Sequence, residues 1–358
     1  MTADAALDYI PDDLTGEAKD RLRELAVESE PQPAPLEVSE YLIRHWCETL
    51  EDGNPLYIDQ AYARSRGYSG LVAPPSAVMT AFTTPYRWPW PPPEGIPPLH
   101  IHYAVKDALG LPVGIINEIE LEVSAPLVVG DRVSISQRLV SISEWKRTKL
   151  GEGHFWVMER TYRNQRSEVV ARERLTAFGY GREQGAPSIA NNSSGWSPAV
   201  EEAIRGDETG YQPPTFVERF WEDVREGDEL PTLTMPITLT RQAYLASATR
   251  DFSPQHSNRD YAQQRSKTKD VFVNTPFNLG IVSRYATDWG GPRSTVRTMK
   301  IAMRRNVCAG DDMIVTGHIA KKYAADGEHR VDLEIMISTQ EGPATPCSAT
   351  LALPSRGG

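Results

Sequence analysis

Asp251 and His256 stand five residues apart, with Pro254 between them. Proline fixes φ and turns the chain, so both side chains can reach one water molecule. A carboxylate and an imidazole sharing a water form a general acid–base pair. Further along, Asn274-Thr275-Pro276 opens an apolar-periodic segment with proline in its first turn. That pattern marks a helix start with Thr275 as N-cap. A helix start offers unpaired N–H groups and a positive dipole end, which can hold a developing oxyanion.

The elements that must position these groups occur twice, the Asp-x-x-Pro motif recurring at an offset of 199 residues. In the first copy Ser39 caps an apolar-periodic run (Tyr41, Leu42, Trp46, Leu50) that leads into Asp52, Pro55 and Tyr57. In the second, a run opening at Thr240 (Ala243, Tyr244, Leu245, Ala248) leads into Asp251, Pro254 and His256. A polar helical piece follows each, with Tyr62-Ala63 in one and Tyr261-Ala262 in the other. Next comes a proline-opened helix, at Pro74-Pro75-Ser76 and at Asn274-Thr275-Pro276, and later a strand entered through Gly130-Asp131 or Gly310-Asp311. Asp and Pro therefore serve the fold in both copies, whereas the histidine is peculiar to the second.

Strand segments alternate apolar and polar residues, as half-buried antiparallel sheets require. Ile119, Leu121 and Val123 alternate with Glu118, Glu120 and Glu122, and Val331, Leu333, Ile335 and Ile337 alternate late in the chain. Tyr162 to Glu168 reads as a hairpin turn. The fold class is α+β, with residues 1–35 as an N-terminal extension, 36–181 as the first unit, 182–213 as a linker rich in Gly, Ser, Asn and Pro, and 214–354 as the second unit. A short amphipathic helix is expected near residues 15–28.

Composition narrows the function. The 358 residues carry Lys+Arg 38 against Asp+Glu 48, a net charge of −10, with no basic tract. Nucleic acid and anionic membrane surfaces are poor partners for such a chain. No apolar stretch approaches the ~20 residues of a membrane span, and the N-terminus lacks the pattern of a signal peptide. Cys47, Cys308 and Cys347 are far apart and read as packing residues. The expected location is the cytoplasm.

Taken together, the helix, Asp-x-x-Pro-x-His, the polar helix, the central apolar helix and the Gly-Asp strand resemble MaoC-like (R)-specific enoyl-CoA hydratases. The resemblance covers residues 38–352 and implies a tandem hotdog, in which each half is a central helix wrapped by a curved antiparallel sheet. Two-subunit actinobacterial hydratases of steroid side-chain enoyl thioesters are especially similar. Arg44-His-Trp-Cys-Glu, Ala73-Pro-Pro and Lys146-Arg-Thr-Lys-Leu-Gly resemble their non-catalytic subunit. Asn274-Thr-Pro-Phe and Tyr285-Ala-Thr-Asp-Trp-Gly-Gly-Pro292 resemble the catalytic one, here fused behind it.

The resemblance implies hydration of 2-enoyl-CoA thioesters, or the reverse dehydration, with Asp251 and His256 catalytic and the backbone N–H of Thr275 as oxyanion donor. Ser253, Asn274 and Phe277 are the neighbouring substrate-binding positions. Two of these depart from the family pattern: Thr275 replaces a glycine and is expected to narrow the site, and Ser253 replaces an asparagine. No cofactor is implied beyond the coenzyme A of the substrate. A homodimer is expected, with an aldolase or thiolase of the same pathway as a docking neighbour. A second reading keeps the fold as a non-catalytic acyl-thioester-binding or scaffold protein of a lipid or polyketide pathway. Retention of both Asp251 and His256 favours the enzyme.

Seven prolines between Pro85 and Pro98 stop the first central helix after about ten residues. They read either as a stiff surface loop or as a device that opens room for a bulky acyl group between Trp88 and Trp90. Arg304 and Arg305, with Lys300, read as solvated charge or as partners of coenzyme A phosphates. His100-x-His102 falls short of a metal ligand set.

Overall fold

The computed structural model describes residues 7–84, 99–181 and 216–357. Among them, eleven strands form one antiparallel sheet. They are β1 (Gln32–Glu37), β2 (Val113–Val123), β3 (Arg132–Ile142), β4 (Lys146–Thr148), β5 (Gly151–Arg163), β6 (Val169–Tyr180), β7 (Glu229–Pro236), β8 (Thr295–Ala302), β9 (Asp312–Ala325), β10 (Glu328–Thr339) and β11 (Gly342–Leu353). Their spatial order is β1-β3-β5-β6-β2-β8-β11-β10-β9-β7, with β4 beside β5.

The two repeat units meet at β2 and β8, where Ile119 lies opposite Ile301 and Leu121 opposite Met299. All four side chains are buried, and Lys300 pairs with Glu118 at 2.7 Å on the outer face. Each unit thereby covers an edge that the other would leave open. The outer edges are β1, with Pro33 and Pro35, and β7, with Pro231 and Pro236. Edge strands tolerate proline because half of their N–H groups face no neighbour. β1 begins inside the stretch read from sequence as an extension.

The helices are α1 (Gly16–Ala26), α2 (Glu40–Leu50), α3 (Pro55–Ile58), α4 (Gln60–Ser65), α5 (His100–Ala108), α6 (Leu239–Ala248), α7 (Arg259–Tyr261) and α8 (Thr275–Gly290). The wrapped helix α8 is buried along nearly its whole length. It closes at Gly291, whose φ of 81° favours glycine. A Cβ added at Gly280 would lie 2.7 Å from Leu50 Cδ1, so this glycine lets α2 press end-on against α8.

The first unit departs from the expected central helix of about ten residues. Its counterpart is a five-residue 3₁₀ helix, Pro75–Met79, followed by turns. Pro74 at the cap position has no side chain that could accept from the first N–H groups, so nothing anchors a longer helix there.

Across the unit boundary, α6 and α8 grip the C-terminus of α2. Arg241 donates to Thr49 O at 3.1 Å and to Glu51 Oε1 at 2.5 Å. Arg284 donates to Leu50 O at 2.6 Å and to Asp288 Oδ2 at 3.1 Å. Both arginines are buried, and Glu51 adopts φ 52° to present its carboxylate to them.

Burial pushes the Asp288 carboxyl up to about 7 despite Arg284, and the nearby Asp52 adds to the effect. Its ordinary value is 3.8, so folding takes up a proton between these limits. The stabilising contribution is complete below about pH 4 and is lost as pH rises through about 7, by up to about 4 kcal/mol. Asp288→Asn is expected to flatten that slope in urea unfolding measured from pH 4.5 to 8. An unchanged slope would contradict this origin.

Candidate functional site

Helix α6 is capped by Thr238, whose side chain accepts from Arg241 N at 3.0 Å, two residues before the Thr240 opening read from sequence. The chain leaves α6 through Thr249, turns at Arg250 in the left-handed region (φ 54°) and delivers Asp251. Asp251 Oδ1 accepts from Ser253 N at 3.1 Å and Ser253 Oγ at 2.6 Å. This fixes the carboxylate and leaves Oδ2 facing inward. Pro254 then opens a 3₁₀ turn, Pro254–His256, that carries the imidazole to the same place.

His256 is buried, and its ring lies edge-on to Phe272 at 5.0 Å. Nδ1 lies 2.7 Å from the Phe272 carbonyl oxygen. A carbonyl only accepts, so Nδ1 carries a proton, and in the neutral ring Nε2 is then the nitrogen with the lone pair. Nε2 sits 3.5 Å from Asp251 Oδ2. Two acceptors facing each other just beyond hydrogen-bond length define a place for a molecule that donates to both, such as water.

Asn274, not Thr275, caps α8. Its Oδ1 accepts from Phe277 N at 3.0 Å, and its Nδ2 donates to Thr249 Oγ1 at 2.7 Å and reaches Asp251 Oδ2 at 3.4 Å. The amide both accepts from the helix and donates to its neighbours, a double task that the Thr275 hydroxyl does not perform. Thr275 becomes the first helical residue, and its N–H donates to no group among the described residues. The Thr275 hydroxyl turns away to Met303 Sδ at 3.4 Å. One residue thus ties Asp251 to the helix that offers the free N–H.

The first unit reaches the same place. Arg250 donates to Thr84 O at 3.4 Å. Burial and the Asp251 carboxylate push the Tyr103 hydroxyl of α5 up.

Other sequence-singled residues are placed differently. Ser253 and Asn274 direct their polar atoms to Asp251, Thr249 and α8, and so hold the site in shape. Phe277 is wholly buried in the main core. Arg305 is held by Thr339 Oγ1 at 2.8 Å and Glu341 O at 3.1 Å, which anchors the β10–β11 turn. Arg304 is exposed. Trp88 and Trp90 lie outside the described residues. Among those residues no group of three or more His, Cys, Asp or Glu gathers as metal ligands do.

Sequence reading missed Thr249, Arg250 and the Phe272 carbonyl. Only Thr249 carries a signal, as a small hydroxyl at a helix end before the motif.

The FAS1-like, dehydratase domain region family model matches residues 26–173. A probable enoyl-CoA hydratase alpha subunit of Thermomonospora curvata is 38% identical over 136 residues, 37% of this chain and 42% of that protein. The chain therefore spans about two fifths of that relative's length. The beta subunit of a Mycobacterium tuberculosis 3-oxo-4,17-pregnadiene-20-carboxyl-CoA hydratase is 34% identical over 93 residues, 26% of this chain and 71% of that subunit. Among solved structures, a MaoC-like dehydratase aligns over 92% of this chain and 98% of its own, with TM-score 0.68 and 19% identity. A Mycobacterium tuberculosis protein described as a double hotdog aligns over 91% and 96%, with TM-score 0.56 and 14% identity. These likenesses of shape speak for the fold, and the identity to the beta subunit speaks for descent. The chain belongs to the FAS1-like dehydratase/MaoC-like hotdog family and has the double hotdog fold.

Proposed function

We propose that the chain adds water across the double bond of 2-enoyl-CoA thioesters, at one site formed by Asp251, His256 and the start of α8. The observation that carries this reading is the pair of facing acceptors, His256 Nε2 and Asp251 Oδ2, beside an unclaimed helix N–H. The pair takes one proton from the water, and the oxygen bonds to C3. The electrons of the double bond move onto the thioester oxygen as an enolate, which the Thr275 N–H stabilises. The enolate collapses as C2 takes one proton from the pair, which ends as it began. Addition of water leaves the substrate's net oxidation level unchanged, so the step calls for no electron carrier.

Two relatives named as alpha and beta subunits support a reading in which one polypeptide joins parts that are separate chains elsewhere. The name of the beta-subunit relative supports a bulky acyl group, as does the short 3₁₀ helix Pro75–Met79 in place of a full central helix. Self-association as a homodimer and docking of a pathway aldolase or thiolase belong to this proposal. A cytoplasmic location does too, in keeping with three buried cysteines that form no disulfide. No helix among the described residues is long and apolar enough to cross a membrane.

The test is a loss-of-absorbance assay at the enoyl-thioester band across a panel of substrates. Higher kcat/KM is expected for steroid-like enoyl-CoA thioesters than for crotonyl-CoA or straight C8–C10 chains. A clear preference for short linear chains would refute the bulky-acyl reading. No turnover of any member would refute the hydratase reading itself.

A further inference from the structure

The repeat builds a second pocket where the first unit would carry its own site. Val72 N–H donates to Leu56 O at 3.0 Å, as Phe272 N–H does to Gln255 O at 3.4 Å. Ala73 N–H donates to Leu127 O at 2.8 Å, as Val273 N–H does to Val307 O at 2.9 Å. The frame is retained and the chemistry is not. Tyr57 stands where His256 stands, and Pro75 takes the first helical position held by Thr275. Proline has no N–H for an oxyanion. Burial, reinforced by Asp52, holds the tyrosine hydroxyl well above its usual range, so it is no base near neutral pH.

The pocket itself persists as a cavity of about 80 Å³, walled by Leu56, Val72, Val78, Val123 and Leu127 together with Tyr57. Tyr57 is only 4% exposed, and its hydroxyl has no hydrogen-bond partner among the described residues. Its oxygen is not among the sealed, unpartnered polar atoms of the described residues, so a ligand or water entering the pocket can reach it and accept its proton. Nearby, Asp52 and Asp288 each keep one buried carboxyl oxygen without a partner among the described residues, and burial raises both carboxyls above their ordinary range. Another negative charge is unwelcome in these surroundings. Arg297, at the rim, is already committed to Glu328 at 3.0 Å.

We propose that this vestigial pocket is a second ligand site. It takes a neutral, apolar molecule of about four to six heavy atoms bearing one carbonyl oxygen. The oxygen accepts from Tyr57 Oη, and the carbon skeleton rests on the valines and leucines. No covalent step occurs there.

The test titrates the full chain with cyclopentanone and follows the methyl resonances of Val72, Val78 and Leu127. Saturable shifts at these methyls are expected. Tyr57→Phe should weaken cyclopentanone about 2–10-fold, the range for one neutral hydrogen bond, and leave cyclopentane unchanged. Val78→Phe, which fills the cavity, should abolish binding, and Ala125→Leu at the rim provides a second block if the first variant misfolds. His256→Ala should bind as wild type does, which separates this pocket from the Asp251–His256 site. Shifts confined to the surroundings of His256, an unaffected Tyr57→Phe, or pentanoate binding as tightly as cyclopentanone would each overturn the proposal.

Discussion

Thr275→Pro is expected to lower kcat for enoyl-thioester hydration about 10²–10³-fold while leaving the fold intact. That is the usual cost of removing one preorganised oxyanion donor. The substitution is unusually clean. Thr275 is the first residue of α8, where proline's fixed φ suits the helix and a missing N–H breaks no backbone bond. Asn274 before it is already extended, with φ −86° and ψ 172°, as a residue preceding proline must be. The first unit carries proline at this very position, Pro75. Thr275→Val is the control: it keeps the N–H, gives up only the contact with Met303 Sδ, and should stay near wild type. Stopped-flow hydration assays with thermal melts of all three proteins decide the matter. Equal losses in the proline and valine variants would show that the side chain matters and the N–H does not.

Arg284→Ala is expected to destabilise the chain by about 3–5 kcal/mol, the cost of breaking a buried ion pair from one side. Arg284 is 1% exposed and faces Asp288, Glu51 and the Leu50 carbonyl oxygen, so its loss strands buried negative charge and an acceptor at the unit boundary. The effect should be largest at high pH, where Asp288 is ionised, and smaller near pH 5, where it holds its proton. Urea unfolding at both pH values gives the comparison. A loss under about 1 kcal/mol at pH 8 would show that the network contributes little.

Much of the site is written in local patterns. Asp251 and His256 flank a proline in a motif that the first unit repeats with Tyr57, and that broken symmetry singles out one histidine without any coordinates. The alternation of Ile119, Leu121 and Val123 likewise announces a half-buried strand. What escaped is of three physical kinds. Asn274 and Thr275 are both good helix caps, and only the geometry of Thr249 and Asp251 selects the asparagine. Prolines in β1 disguise an edge strand, and the run from Pro85 to Pro98 hides the start of α5 at His100. The Phe272 carbonyl that sets the His256 tautomer and the grip of Arg241 and Arg284 on α2 join residues distant in sequence, so no local pattern marks them.

The most direct test of the central claim is the hydration rate of one accepted 2-enoyl-CoA substrate by wild type, His256→Ala and Tyr57→Phe, at matched concentration and with folding verified. The predicted result is a loss of about 10²–10⁴-fold for His256→Ala, the range for a missing acid–base group, with Tyr57→Phe near wild type. Full activity in His256→Ala, or the larger loss in Tyr57→Phe, would contradict it.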